Sequence, residues 1–465
     1  MTDKLLSPLA AFLGLAFAVA LTACAPRDRG PEPGAPSPST AYSVPIETWT
    51  LDNGLRVLYV HRPELPMMSL HVAFDAGSAR DPEGRFGLSA LTARLLDQGA
   101  GEFSADELAR RVDSLGLRLG ASSSRDMLSA HVTSLTEGDT TARAWRLLTT
   151  ILTEPAFSPE ALKRERRRLL TAIRRDKEQP RSVAIKAFYR AVYGDHPYAH
   201  PSEGVPEQIR SIRRQDLRGF AQRHLVGTNG TVAVVGAMER PEVERLLADT
   251  LGGIPAGEAA APLPEVPDLE AAREVFIAKE VSQAHVLLGQ PGTVRGAPDY
   301  FPLLVGNYSL GGGGFSSRLM SVVREEEGLS YSVFSTFHPL ARRGPFVAGL
   351  QTANPNVPKA LSLLREEVAR FVEEGPRPEE VEAAKRYLTG SFPLKLESNQ
   401  DIVGHLLAMG HYGLGADYLD TYLERVRGVE AGAIRRAMAG RLQPGRMVTV
   451  IVGANRPEGF GGDGG

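Results

Sequence analysis

Leu310-Gly311-Gly312-Gly313-Gly314-Phe315-Ser316-Ser317-Arg318-Leu319, followed by Val323-Arg324-Glu325-Glu326-Glu327-Gly328-Leu329-Ser330-Tyr331, is the most specific stretch of this chain. Four consecutive glycines read as a loop, and Ser316-Ser317-Arg318-Leu319 opens a helix behind it. A phosphate cradle is not indicated, because no Lys-Ser/Thr follows the glycines. Taken alone, Arg324 fits a helix C-terminal cap or an ion pair with a nearby glutamate, and Tyr331 fits a half-buried strand position.

As a string, these residues resemble the glycine-rich turn, S-S-R-L helix and R-E-x-x-G-L-A/S-Y segment of the pitrilysin/insulinase family of inverzincin metallopeptidases. The resemblance implies that Gly311, Gly312, Gly313 and Gly314 form the family's glycine-rich loop. It also implies that Arg324 and Tyr331 reach into a chamber and hold a peptide substrate beside zinc. A guanidinium and a phenol suit that role, since both donate hydrogen bonds to a developing oxyanion without having to lose a proton.

The zinc site itself is missing. Gly87-Leu88-Ser89-Ala90-Leu91-Thr92-Ala93-Arg94-Leu95-Leu96-Asp97-Gln98-Gly99 follows a strand and the turn Asp75-Ala76-Gly77-Ser78 to Asp81-Pro82, where the family carries its H-x-x-E-H helix. On that pattern the two histidines fall on Ala90 and Arg94, and the general-base glutamate falls on Ala93. The third ligand belongs to an E-R-x-x-V-x-E-E-I-like helix, matched by Glu165-Arg166-Arg167-Arg168-Leu169-Leu170-Thr171-Ala172-Ile173, where Thr171 and Ala172 take the acidic positions. Methyls, a hydroxyl and a guanidinium cannot replace imidazole and carboxylate, so no metal is expected on this chain. His71 and His131 alternate with apolar neighbours and read as structural. His196 and His200 flank Pro197-Tyr198 without a third ligand, and Glu280 and His285 read as strand-edge residues.

The chain has 465 residues, 42% hydrophobic and 23% charged, with a formal net charge of -2, which suits a globular protein of two or three domains and argues against nucleic acid as a partner. The basic run from Lys163 to Arg175 is broken by Glu165 and interleaved with Leu169, Leu170 and Ile173, as a solvated helix face would be. Residues 1–23 read as a lipoprotein signal peptide. Lys4 precedes the apolar stretch from Leu5, and Leu21-Thr22-Ala23-Cys24 looks like a lipobox that makes Cys24 the lipidation site. That implies a lipid-anchored protein on the periplasmic side of a bacterial cell envelope, at the outer membrane if the organism is Gram-negative. Residues 24–41, rich in Pro, Gly and Ser, read as a flexible tether.

Ile46 to Leu51 and Leu55 to Val60, joined by Asp52-Asn53-Gly54, form a strand–turn–strand unit, and Ser69 to Phe74 is another strand. Ser104-Ala105-Asp106-Glu107 is a capping box. Leu117 to Ser122 with Met127 to Leu135 forms a hairpin, and Ser158-Pro159 starts a long helix. Thr231-Val232-Ala233-Val234-Val235-Gly236-Ala237 and Val448-Thr449-Val450-Ile451-Val452-Gly453-Ala454 end two segments alike, which points to an internal repeat. The expected fold is α+β: two similar α/β-roll halves, each a mixed sheet packed by helices, which in the family close like a clamshell around a chamber. The first half covers 42–240, a linker 241–272, the second half 273–456, and a flexible tail 457–465.

With the Arg/Tyr pair kept and the zinc residues lost, the chain resembles the non-catalytic subunit of two-chain bacterial and mitochondrial processing peptidases. The implied partner is a zinc-bearing subunit of the same family, forming a heterodimer that cleaves peptides. The rival reading is an inert scaffold or chaperone-like, peptide-binding lipoprotein of the same fold. No Ser or Cys nucleophile motif supports unrelated chemistry in that chamber.

Overall fold

Alternating and continuous apolar runs become eleven strands in the computed structural model, which describes residues 43–461. The leader, Cys24 and the tether lie outside the described residues. Sheet one contains β1 (Glu47–Thr50), β2 (Arg56–His61), β3 (Met67–Phe74), β4 (Arg118–Ser123), β5 (Leu128–Leu135) and β6 (Gly230–Gly236), in the order β1-β2-β6-β3-β5-β4. Sheet two contains β7 (Arg273–Ala278), β8 (Gln283–Thr293), β9 (Ser330–Phe337), β10 (Gly344–Ala353) and β11 (Val448–Gly453), in the order β7-β11-β8-β10-β9. Without β1 the two orders are the same. The strands that end in Val-Gly-Ala hold equivalent places: β6 runs parallel to β2 and antiparallel to β3, and β11 runs parallel to β7 and antiparallel to β8. The chain is a structural duplication.

Both central strands read as unbroken apolar runs because both faces of each sheet are covered. Val232 and Val234 of β6 face one core while Ala233 and Val235 face another. The covering layers are exchanged between halves. Helix Pro180–Tyr193, from the first half, lies on β8 and β11 of sheet two, where Ala184, Phe188 and Val192 share a core with Val448, Val450 and Val452. Helix Asn399–Tyr412, from the second half, lies on β3 and β6 of sheet one, where Ile402, Val403 and Leu406 join Leu58, Ala233 and Val235. The approach is close enough to require glycine: a Cβ on Gly410 would stand 2.2 Å from Thr231 Cγ2. Each large apolar side chain buried in this way contributes about 1.5–3 kcal/mol, so separating the halves would expose a substantial part of both cores.

Two expected boundaries move. Residues 241–249, read as the start of the linker, belong to helix Arg240–Asp249 with Pro241 in its first turn, because Val243, Leu246 and Leu247 bury one helical face. The rest of the connection is a strap with Leu263 and Val266 buried, pinned where Arg342 Nε donates to the Leu263 carbonyl (2.7 Å) and Arg343 to that of Val266 (2.5 Å). The tail expected from residue 457 is packed through 461: Phe460 is buried, and the Gly461 N–H donates to Glu274 (2.7 Å).

Buried histidines give the fold a pH limit. His71 lies opposite His131 across β3 and β5 with ring centroids 5.1 Å apart, and burial, then the neighbouring His131, pushes it down to about 4. Burial, then Arg80, likewise pushes His224 down to about 4. Because both folded-state values lie below the ordinary 6.5, the unfolded chain takes up more protons between those limits. The stability from keeping the rings neutral is therefore full above pH 6.5 and is lost as pH falls toward 4, by up to about 3 kcal/mol per ring. Denaturant unfolding midpoints should fall between pH 7.5 and pH 4.5, and His71→Gln should reduce the fall. Equal midpoints at both pH values would contradict this.

Candidate functional site

Helix Leu88–Leu95 is built as a site helix. Asp81, buried, accepts hydrogen bonds at its N-terminus from the N–H groups of Gly87 and Ser89 (2.7 Å each). Burial pushes this carboxyl up to about 7, against the pull of those donors. Ser89 Oγ donates to the Ala76 carbonyl (2.5 Å) and lies 2.6 Å from Ser123 Oγ on β4, so the helix is fixed against the free edge of sheet one. Between helix and edge is a hollow of about 360 Å³ lined by Ala90, Ala93, Arg94 and the β4 residues Ala121 to Ser123. Ala90 and Ala93 are buried, Arg94 is exposed, and the helix contains no histidine, cysteine or carboxylate.

The helix expected to bring the third ligand spans Pro159–Glu178, capped by Ser158, whose Oγ accepts from Ala161 N (3.2 Å). Its residue in the hollow is Leu169. Thr171 and Ala172 are half-buried and do not line the hollow, and Thr171 Oγ1 accepts from Arg174 (3.1 Å). Among the described residues no group of three or more His, Cys, Asp or Glu side chains is placed to hold a metal ion. His196 and His200 are engaged by carbonyls, those of Pro264 (3.0 Å) and Pro201 (3.1 Å).

Arg324 and Tyr331 lie in the other half, at the free edge of sheet two formed by β9. The glycine-rich segment is bracketed by two π-helical turns, Tyr308–Gly312 and Ser321–Glu326, a distortion common at functional sites. It is less free than four glycines suggest, since a Cβ on Gly311 would stand 2.4 Å from the Ser335 backbone nitrogen. The Arg324 guanidinium lies 4.5 Å from the centroid of the Phe315 ring, a cation–π contact. It takes neither bland alternative: among the described residues no carboxylate pairs with it and no carbonyl accepts from it. Tyr331 is 82% exposed, and its hydroxyl has no partner among the described residues.

Sequence reasoning missed the aromatic residues around Arg324 and the glycine-rich segment. Phe315 is 67% exposed and Tyr387 57% exposed; Tyr387 lies against Tyr308 at 4.9 Å, and the Tyr308 hydroxyl is 3.4 Å from Ser316 Oγ. Phe315 had a visible signal, an aromatic directly after four glycines. Tyr387, far along the chain, had none. Clustered exposed aromatics mark interaction surfaces.

Known proteins agree with this geometry. The family model described as Insulinase (Peptidase family M16) matches residues 56–204, and the one described as Peptidase M16 inactive domain matches 211–388. A crystal structure of a peptidase M16 inactive domain from Pseudomonas fluorescens is similar at a TM-score of 0.84 and 33% identity, with 88% of this chain and 98% of that one covered. The non-peptidase homolog YmxG of Helicobacter pylori is 28% identical over 80% of this chain and 85% of its own length. The uncharacterized zinc protease YmxG of Bacillus subtilis is 26% identical over 76% of this chain and 85% of its own. The chain belongs to the peptidase M16 family, the pitrilysin/insulinase family, as one of its inactive members.

Proposed function

We propose that this chain is the non-catalytic, substrate-binding subunit of a two-chain zinc metallopeptidase that cleaves peptides or small unfolded proteins in the bacterial cell envelope. The observation that carries the reading is Arg324 with Tyr331: two donors that make no hydrogen bond or ion pair among the described residues, at the sheet-two edge, with the exposed Phe315 under the guanidinium. An inert scaffold gains nothing from holding such side chains out. The zinc belongs to a partner of the same family, whose active site Arg324 and Tyr331 complete by orienting the scissile carbonyl and stabilising its developing charge. Because the two halves of this chain are interlocked through exchanged helices, the surface that closes over a peptide in this reading is a second chain.

Metal analysis tests the division of labour. The purified chain should hold no stoichiometric zinc and cleave no peptide; one zinc per chain retained after mild chelation would overturn the proposal. The cellular side of the reading rests on the lipobox. Cys24 carries the anchor, so the mature protein should fractionate with membranes, and Cys24→Ser should abolish lipid attachment. Normal maturation and fractionation of that variant would exclude an anchor at this position. No helix among the described residues is long and apolar enough to cross a membrane.

A further inference from the structure

The basic run of helix Pro159–Glu178 is a solvent-exposed face, as its sequence suggests, but most of its cations have no carboxylate beside them. Between Lys163 and Lys177 the sequence carries eight basic and two acidic residues, in a chain whose net charge is -2. Glu165 is occupied by Arg164 and Arg168, and Asp176 lies 3.8 Å from Lys186. Five of the remaining six cations converge: Lys163, Arg166, Arg167, Arg174 and Lys177, though not Arg175, line one hollow of about 450 Å³, with Arg210 on the facing wall and Leu170 and Pro206 as its apolar surface. Among the described residues none of the five helix cations has a carboxylate within 4.0 Å, and the single acid in the lining, Glu207, sits 3.4 Å from Arg210. Arg166 is fixed in place, donating to the carbonyls of Ile209 (3.2 Å) and Ile212 (2.5 Å). Like charges three and four residues apart on a helix repel, each pair costing a few tenths of a kcal/mol, so the folded chain alone has no reason to gather them.

We propose that this cationic hollow binds acidic peptide segments, and that it does so in the isolated chain. The dimensions favour a peptide. From Lys163 to Lys177 the stripe runs 14 residues along the helix, about 21 Å at 1.5 Å per residue, the span of roughly six residues of extended chain. A single phosphate group or compact polyphosphate would engage only part of that length, and a concave lining is a poor fit to the flat surface of a bilayer. Leu170 and Pro206 offer apolar contact between the charges, as a peptide mixing carboxylates with aliphatic side chains would use. Neither Arg324 nor Tyr331 takes part, so the inference stands or falls independently of the peptidase-subunit reading.

The test is fluorescence anisotropy of the mature full-length chain with a labelled twelve-residue peptide of Glu-Gly-Leu repeats, beside versions with Gln or Lys in place of Glu. The acidic peptide should bind, weakening roughly tenfold or more between low and high salt as screening shortens the field. The Gln version should bind far more weakly and the Lys version not at all. Arg167→Glu combined with Arg174→Glu should weaken the acidic peptide by roughly tenfold or more, with an unchanged thermal melt because both side chains are exposed. The proposal is overturned if the acidic peptide fails to bind at low salt, if all three peptides bind alike, or if the charge reversals change nothing. Binding only to phosphatidylglycerol vesicles or to tripolyphosphate would assign the hollow to another ligand and overturn it equally.

Discussion

Replacing Tyr331 by phenylalanine should lower turnover by the reconstituted two-chain peptidase by roughly two to three orders of magnitude, the usual consequence of removing one preorganised oxyanion donor, about 3–4 kcal/mol. The substitution takes away a hydroxyl that nothing else among the described residues uses and leaves a ring that is already 82% exposed, so the fold should be unaffected. Arg324→Ala should act in the same direction. It also removes the cation over Phe315, so part of its effect should appear as a raised KM through a less ordered glycine-rich segment. Zinc content of the mixture should be unchanged in both. Cleavage at the original rate by both variants would make the pair structural and favour a scaffold.

The largest stability effect should come from Asp126, which lies in the turn three residues after Ser123 and does not line the hollow. Its carboxylate, 2% exposed, accepts from the Tyr198 hydroxyl (2.6 Å), the Ala341 N–H (2.8 Å) and the Tyr412 hydroxyl (3.0 Å), and the Tyr198 oxygen accepts from Arg342 N (3.0 Å). Burial and the carboxylate's charge together push both phenols well above their ordinary range, so they remain donors at any pH the fold survives. Asp126 and Tyr198 belong to the first half, Ala341, Arg342 and Tyr412 to the second. Asp126→Ala would leave two phenols and an amide buried without their acceptor, and should cost about 3–5 kcal/mol. Denaturant unfolding measures it, and a loss below about 1 kcal/mol would show that water or a small shift replaces the carboxylate. Paired with Tyr412→Phe the effects should be strongly non-additive, since both act on one network.

How much of this was legible in the sequence follows from the range of each interaction. The strand–turn–strand start, the capping box at Ser104 and the helix opened by Ser158-Pro159 all appear, because each is decided within a few residues. The duplication was visible in two Val-Gly-Ala endings, and the structure gives those strands the same neighbours. Helix exchange was not visible. The period of Pro180–Tyr193 marks an apolar face but not which sheet it will cover, and Ala184, Phe188 and Val192 would suit either. Asp126 reads as an ordinary turn residue between β4 and β5, since its partners lie 72, 215 and 286 positions away. In the candidate site, that Ala90, Ala93 and Arg94 offer no zinc donor is a matter of side-chain chemistry and is read from the sequence itself. The placement of Leu169 rather than Thr171 or Ala172 in the hollow depended on how two helices rotate against each other, which spacing alone does not fix.

The central claim is that the chain completes a zinc site it does not contain. Titrating a zinc-bearing M16 partner with this chain, while following peptide cleavage and zinc content together, tests it most directly. The account predicts that neither protein cleaves efficiently alone, that activity rises and saturates at one chain per partner, and that the saturated complex holds one zinc per pair, brought by the partner. Zinc and turnover in this chain alone, or a stable one-to-one complex that stays inactive, would contradict it.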